Sequence, residues 1–125
     1  MRLGFIGTGA ISEHVIIGLI QHGGFEEPIL VSERSRHRSE RLASRFSNVT
    51  AESDNQTIVD QSDVVFLGTL PQQTLSVLDS LAFRPEQTIV SMPAMISVEQ
   101  VAEKVKPASR IHRIIPVSYT HLTLP

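Results

Sequence analysis

Five short apolar runs rich in Val, Ile or Phe alternate along the chain with stretches in which apolar residues return at helical spacing. This alternation is the pattern of βα units that build a parallel sheet. The runs predict strands over 2–7, 29–32, 63–68, 88–91 and 110–115, with a weaker strand over 48–51. The stretches between them predict helices over 10–22, 36–46, 71–80 and 98–105. Asp63-Val64-Val65-Phe66-Leu67 runs apolar without alternating, which predicts a central strand covered by helices on both faces. In the first helix Ile11, Val15, Gly18 and Leu19 share a stripe, and Gly23-Gly24 offers a left-handed stop. Pro71 suits a first helical turn, where its missing N–H would have been unpaired anyway. Ser97 with Gln100 makes a capping box before the last helix.

The first strand and helix are joined by Gly7-Thr8-Gly9-Ala10-Ile11-Ser12, a G-x-G-x-x-G/A pattern with serine in the last place. In a strand-to-helix context each position has a mechanical task. Gly7 permits the tight turn, Gly9 permits close approach of a diphosphate, and a small residue at 12 permits helix–sheet contact. The unpaired N–H groups and partial positive charge of the helix start then face the phosphates. The expected fold is therefore α/β, a Rossmann-type doubly wound, mainly parallel sheet with helices on both faces. Gly7, Thr8, Gly9, Ala10 and Ile11 are the expected diphosphate site.

In such folds an acidic residue at the end of the second strand accepts the ribose 2′-OH of NAD, while an Arg accommodates the 2′-phosphate of NADP. Ser32-Glu33-Arg34-Ser35 supplies both. Arg34 between two hydroxyls, followed by Arg36 and Arg38, makes an anion cradle that favours NADP over NAD. Arg41 and Arg45 read as a solvated helix face. Gly68-Thr69-Leu70-Pro71 and Ser91-Met92-Pro93-Ala94 leave adjacent strands at their carboxyl ends, the edge where open α/β sheets bind ligands. Gly68, Thr69, Pro71 and Ser91 are candidates to wall the nicotinamide end, although a loop-closing hydroxyl explains Thr69 and Ser91 equally well. Asn55 is a candidate for the adenine side or a simple helix cap.

Composition narrows the function classes. A length of 125 residues suits one domain, and 41% hydrophobic with 19% charged residues is ordinary for a globular chain. Eleven Lys+Arg against thirteen Asp+Glu gives a net charge of −2, without the basic excess of a nucleic-acid binder. Zero cysteines remove disulfide, thiol and cysteine-zinc chemistry and fit a cytoplasmic location. No apolar run is long enough to span a bilayer. His14, His22, His37 and His112 stand without a paired acid or serine and read as surface histidines, so no catalytic dyad and no metal spacing emerges.

Several stretches together resemble the pyrroline-5-carboxylate reductase family over roughly residues 1–116. They are Gly4-Phe5-Ile6-Gly7-Thr8-Gly9, Val31-Ser32-Glu33-Arg34-Ser35, Asn55 before Asp63-Val64-Val65-Phe66-Leu67, then Pro71, Val90-Ser91 and Arg113-Ile114-Ile115-Pro116. The resemblance implies an NAD(P)H-dependent reduction of a cyclic imine to proline by a Rossmann domain followed by a helical dimerisation domain. Hydride transfer to a protonated C=N bond needs little acid–base help, so the cofactor carries the chemistry. The chain departs from the family at Leu70, where Lys is usual before Pro71, and at Met95, where Gly is usual. Other readings are a different imine or keto reductase of the 6-phosphogluconate-dehydrogenase-like group, or a non-catalytic nucleotide-sensing module. Val117-Ser118-Tyr119-Thr120-His121-Leu122-Thr123-Leu124-Pro125 corresponds to one reading frame of a transposon-end adapter used in DNA library preparation. The expected organisation is thus a nucleotide-binding domain over 1–116 and a non-native tail over 117–125 in which Tyr119 and His121 carry no function. A fragment of this kind is expected to be inactive alone, with homo-oligomers formed only by the full-length protein.

Overall fold

The computed structural model describes residues 1–33 and 36–114. Six strands form one parallel sheet: β1 Leu3–Ile6, β2 Ile29–Ser32, β3 Val49–Glu52, β4 Val64–Leu67, β5 Thr88–Ser91 and β6 Arg110–Arg113. Five α-helices lie between them: α1 Ala10–Ile17, α2 Arg36–Arg45, α3 Asn55–Asp60, α4 Pro71–Asp79 and α5 Val98–Val105. The spatial order is β3-β2-β1-β4-β5-β6. The chain thus winds outward from β1 in one direction, crosses back through α3, and winds outward again from β4. Because parallel crossovers are right-handed, that reversal sends the helices of the two halves to opposite faces.

The packing follows this division. Ile16 of α1 and Leu42 of α2 close on Leu3, Phe5, Ile29, Val31 and Val49. On the other face Ile58 and Val59 of α3, Leu78 of α4, and Val101 and Val105 of α5 close on Ile6, Val65, Leu67 and Ile89. Each such aliphatic side chain taken fully out of water contributes about 1.5–3 kcal/mol. These residues therefore hold the sheet between its helices.

Four details differ from the sequence expectations. First, β4 is central, yet its burial alternates: Val65 and Leu67 are buried while Val64 and Phe66 are half-buried. Helices cover β4 fully on one face only, and on the other the Phe66 ring stacks on Phe5 with centroids 4.4 Å apart. Second, the buried positions of α1 are Ser12 and Ile16, and Ile11 is exposed, so the core stripe is turned by one residue. The glycine turn fixes that rotation by setting Ser12 against Gly7. Third, α1 ends at Ile17 and continues as a π-helical turn over Gly18–His22, closed by Gly23 N–H donating to Gly18 O at 3.0 Å. The left-handed residue is Gly24, with φ +67°, and not Gly23. Fourth, Asn55 is the first residue of α3 and not its cap. Asp54 caps it, accepting from Thr57 N–H at 3.2 Å and the Thr57 hydroxyl at 2.8 Å. Pro71 in the first turn of α4 and the Ser97–Gln100 capping box of α5 stand as the sequence predicts.

Two local features carry stability consequences. Asp63 Oδ2 accepts the backbone N–H of Arg2 at 2.7 Å, tying the start of β4 to the start of β1. That hydrogen bond, helped by the nearby positive charges, holds the Asp63 carboxyl below its ordinary value. A depressed carboxylate stabilises the fold above the ordinary Asp pKa of about 4, and the contribution is lost as the pH falls through the lower folded value. Melting curves taken from about pH 5 down to about pH 3 should therefore fall less steeply for Asp63→Asn than for wild type; parallel slopes would remove Asp63 from the acid response. Met95 is 89% exposed and sits at φ +68°, a left-handed conformation that disfavours side chains with a Cβ. Met95→Gly should raise unfolding free energy in urea by about 1 kcal/mol, and Met95→Ala, which keeps the Cβ, should not. Equal behaviour of the two variants would contradict the strain.

Candidate functional site

The reversal of winding direction leaves a gap at the carboxyl edge of the sheet, where the loops after β1 and β4 diverge toward opposite faces. A cleft of about 250 Å³ opens there, lined by Gly7, Thr8, Gly9, Gly68, Thr69, Leu70 and Gln73. Five of these are residues that the sequence marks as cofactor contacts. Leu70 and Gln73 join them because α4 begins at this edge and turns its first residues toward the gap.

Gly7 holds φ +92°, and a Cβ there would lie 2.6 Å from Thr69 N, so a side chain is excluded by conformation and by space. Its main chain is held on both sides of the Cα. The N–H donates to Ser32 Oγ at 3.0 Å, and the carbonyl accepts from Ser12 Oγ at 2.7 Å. Gly9 is different: a Cβ built on it meets nothing within 4 Å. Among the described residues no neighbouring atom requires glycine at this place, and the cleft is left open above Gly9. Gly9 is also the N-cap of α1 and supplies no side chain to cap it, which leaves the helix start with N–H groups to offer an anion. These features fit a diphosphate.

Thr8, although it lines the cleft, is only 1% exposed. Its hydroxyl donates to Ser32 O at 2.8 Å and lies 3.2 Å from Ser32 Oγ. Ala10 and Ile11 stand exposed in the first turn of α1. Ser32 ends β2 and is 3% exposed, behind the cleft and engaged with the β1 loop. Arg34 and Ser35 lie outside the described residues. Arg38, expected in the anion cradle, donates to Glu13 Oε1 at 3.2 Å. Arg41, expected to be merely solvated, pairs with Glu13 Oε2 at 2.8 Å, and Arg45 lies 5.0 Å above the Phe46 ring. The carboxylate at the start of α1 therefore gathers Arg38 and Arg41 of α2, a link between two helices that neither stretch of sequence reveals alone.

On the far side of the gap, Thr69 Oγ1 and Thr74 Oγ1 lie 2.9 Å apart, and Thr74 Oγ1 also donates to Leu70 O. Thr69 is thus a loop-closing hydroxyl that also lines the cleft. Pro71 is half-buried at the start of α4, and Asn55 is half-buried at the start of α3, after the edge strand β3. Ser91 ends β5, and its Oγ is a buried side-chain oxygen with no hydrogen-bond partner among the described residues. An orphaned buried hydroxyl costs about 1–3 kcal/mol. Sequence reasoning missed Gln73; the signal was its place in the first turn of a helix starting at Pro71, on the ligand-bearing edge.

A larger open groove of about 450 Å³ lies at the opposite edge, lined by residues such as Phe25, Arg45 and Phe46. It brings together neither an uncapped helix start nor a glycine turn, and it is not the candidate site. Among the described residues there is no group of acidic, histidine or cysteine side chains able to hold a metal ion, and no helix is long and apolar enough to cross a membrane. His14, His22, His37 and His112 are all exposed.

Known proteins are similar to this chain in sequence and in fold. The pyrroline-5-carboxylate reductase of Corynebacterium melassecola is 30% identical over 116 residues, covering 89% of this chain and 43% of the relative. In three dimensions the reductase of Streptococcus pyogenes superposes with TM-score 0.77 at 34% identity, over 93% of this chain and 42% of that one. The Plasmodium falciparum pyrroline carboxylate reductase, solved with NADP bound, shares the fold with TM-score 0.75 at 18% identity, over 93% of this chain and 42% of that one. The chain spans less than half the length of these relatives. A family model described as NADP oxidoreductase coenzyme F420-dependent matches residues 2–95, and the chain belongs to that family of nucleotide-binding oxidoreductases, with pyrroline-5-carboxylate reductases among its relatives.

Proposed function

We propose that this chain is the NADPH-binding domain of a pyrroline-5-carboxylate reductase-like oxidoreductase, whose full-length form reduces a cyclic imine to proline. The observation that carries the reading is the Gly7-Thr8-Gly9 turn, with open space over Gly9 and an uncapped α1 start at the gap between β1 and β4. Gly9 and the first turn of α1 hold the diphosphate. Gly68 and Thr69 wall the cleft from the β4 side, and Ser91 offers its free hydroxyl at the end of the neighbouring strand. A reduced nicotinamide bound there supplies hydride, and the protein's task is to orient it and keep competing reactions out.

NADPH is favoured over NADH by Arg34, which follows the end of β2 where the 2′ substituent of the adenosine ribose is read. A guanidinium matches a phosphate with paired hydrogen bonds that a hydroxyl cannot return. The presence of NADP in the Plasmodium relative is in keeping with this choice. Arg34→Ala should weaken NADPH by about 1–3 kcal/mol and leave NADH much less affected, measured by fluorescence titration of both dinucleotides. Equal losses would remove Arg34 from phosphate recognition.

The chain spans less than half the length of its relatives, and this reading assigns the imine site and the dimer interface to the remainder. The purified 125-residue chain should therefore bind NADPH and fail to turn over pyrroline-5-carboxylate; steady turnover would overturn this division of labour. Residues 117–125 are proposed to be adapter-encoded and foreign to the native protein. Genomic resequencing that returns the same nine codons would refute it.

A further inference from the structure

The two peptide groups flanking the Gly7 Cα are each gripped by a serine from a different element. Ser32, at the end of β2, accepts its N–H at 3.0 Å, and Ser12, in the first turn of α1, donates to its carbonyl at 2.7 Å. Both serines are buried. The protons can be assigned by elimination. Thr8 has one hydroxyl proton, and it goes to the Ser32 carbonyl at 2.8 Å. In the 3.2 Å contact between the two hydroxyls Ser32 must then be the donor and Thr8 Oγ1 the acceptor. The Ser32 hydroxyl thus accepts from Gly7 and donates to Thr8, and it has no proton left for a ribose phosphate.

Resting on the dinucleotide reading above, we infer that Ser32 and Ser12 are positioning residues that set the diphosphate loop without touching the cofactor. Glycine at φ +92° has wide conformational freedom, and an unclamped Gly7 would let the turn wander before a ligand arrives. Holding both its N–H and its carbonyl selects one conformation in advance, so that ordering the loop is not charged against binding. Ser12 has a second task. A Cβ at Gly68 would overlap Ser12 Oγ and come within 2.8 Å of Gly7 O. The clamp therefore also seats the β1 loop against the β4 loop and fixes the base of the cleft. Serine in the last place of the glycine motif is the residue that makes this bond possible; Gly or Ala, its usual occupants, cannot.

The test compares Ser32→Ala and Ser12→Ala with wild type in NADPH and NADH titrations well below the melting midpoint, together with the Gly7 amide resonance. Each variant should weaken both dinucleotides by the same factor, about tenfold for one lost buried hydrogen bond with its partner orphaned. In Ser32→Ala the Gly7 amide should also lose its hydrogen-bonded shift and exchange protection while amides of β4 and β5 stay in place. Ser12→Ala restores a residue that the motif ordinarily accepts, so it folds, and it decides the matter alone if Ser32→Ala does not. Loss of NADPH affinity without loss of NADH affinity in Ser32→Ala would make Ser32 a direct phosphate contact and overturn the inference. So would unchanged affinities in either folded variant. A wild-type chain that binds neither dinucleotide overturns the cofactor reading and the clamp with it, whereas wild-type binding with unaffected variants overturns the clamp alone.

Discussion

The structure depends on β1 having to pair with both β2 and β4. Leu3, Gly4 and Phe5 face Ile29, Leu30 and Val31 on one side, and Leu3 to Ile6 face Val64 to Leu67 on the other. With β1 enclosed, right-handed crossovers allow α1 and α2 only one face and α3, α4 and α5 only the other. The cleft is the geometric remainder of that requirement, since two loops leaving adjacent strands for opposite faces cannot fill the space between them. What the side chains then decide is how firmly its base is closed, and here Gly68 N–H donating to Ile6 O at 2.8 Å joins the Gly7 contacts.

The two edges of the sheet are finished differently. At the amino edge the polar groups answer one another. Gln87 is buried and donates to Val59 O at 2.7 Å and Ser62 O at 2.9 Å, while accepting from Arg84 N–H. Arg84 also reaches Asp60 O, and Asp63 takes the Arg2 amide. At the carboxyl edge Ser91 Oγ is unpaired among the described residues, α1 begins without a side-chain cap, and Met95 stands in an unfavourable backbone conformation. Unfinished hydrogen bonding and local strain concentrate where ligands bind, because a surface that satisfies itself has nothing to offer.

Most of the sheet was legible in the chain, since the strands announce themselves as β-branched runs and the glycine turn sits where a strand meets a helix. The helix α3 was not, because Asn55–Asp60 is too short to show a period. The rotation of α1 was misread for a physical reason: Ser12 is polar, so a hydrophobic stripe drawn through Ile11 and Val15 looked better than one through Ser12 and Ile16. Tertiary hydrogen bonding outweighed apolarity at that position. Phe66 was expected beneath a helix and lies half-buried against a ring, since a run of apolar residues cannot say how much of each face will be covered. In the site, the glycines and Thr69 line the cleft and Gln73 joins them from the first turn of α4, while the pairing of Glu13 with Arg41 depends on helices meeting across distant sequence.

The cleft's floor is made largely of peptide groups and missing side chains, and this has an evolutionary consequence. A surface built from main-chain N–H groups and vacant Cβ positions is inherited through the path of the backbone, so selection need keep only a few small residues while the rest drift. The Plasmodium falciparum structure has the same fold, with a TM-score of 0.75, although only 18% of residues are identical. A change at Leu70, whose side chain lines the cleft, can therefore alter what is presented there without rebuilding the turn beneath it.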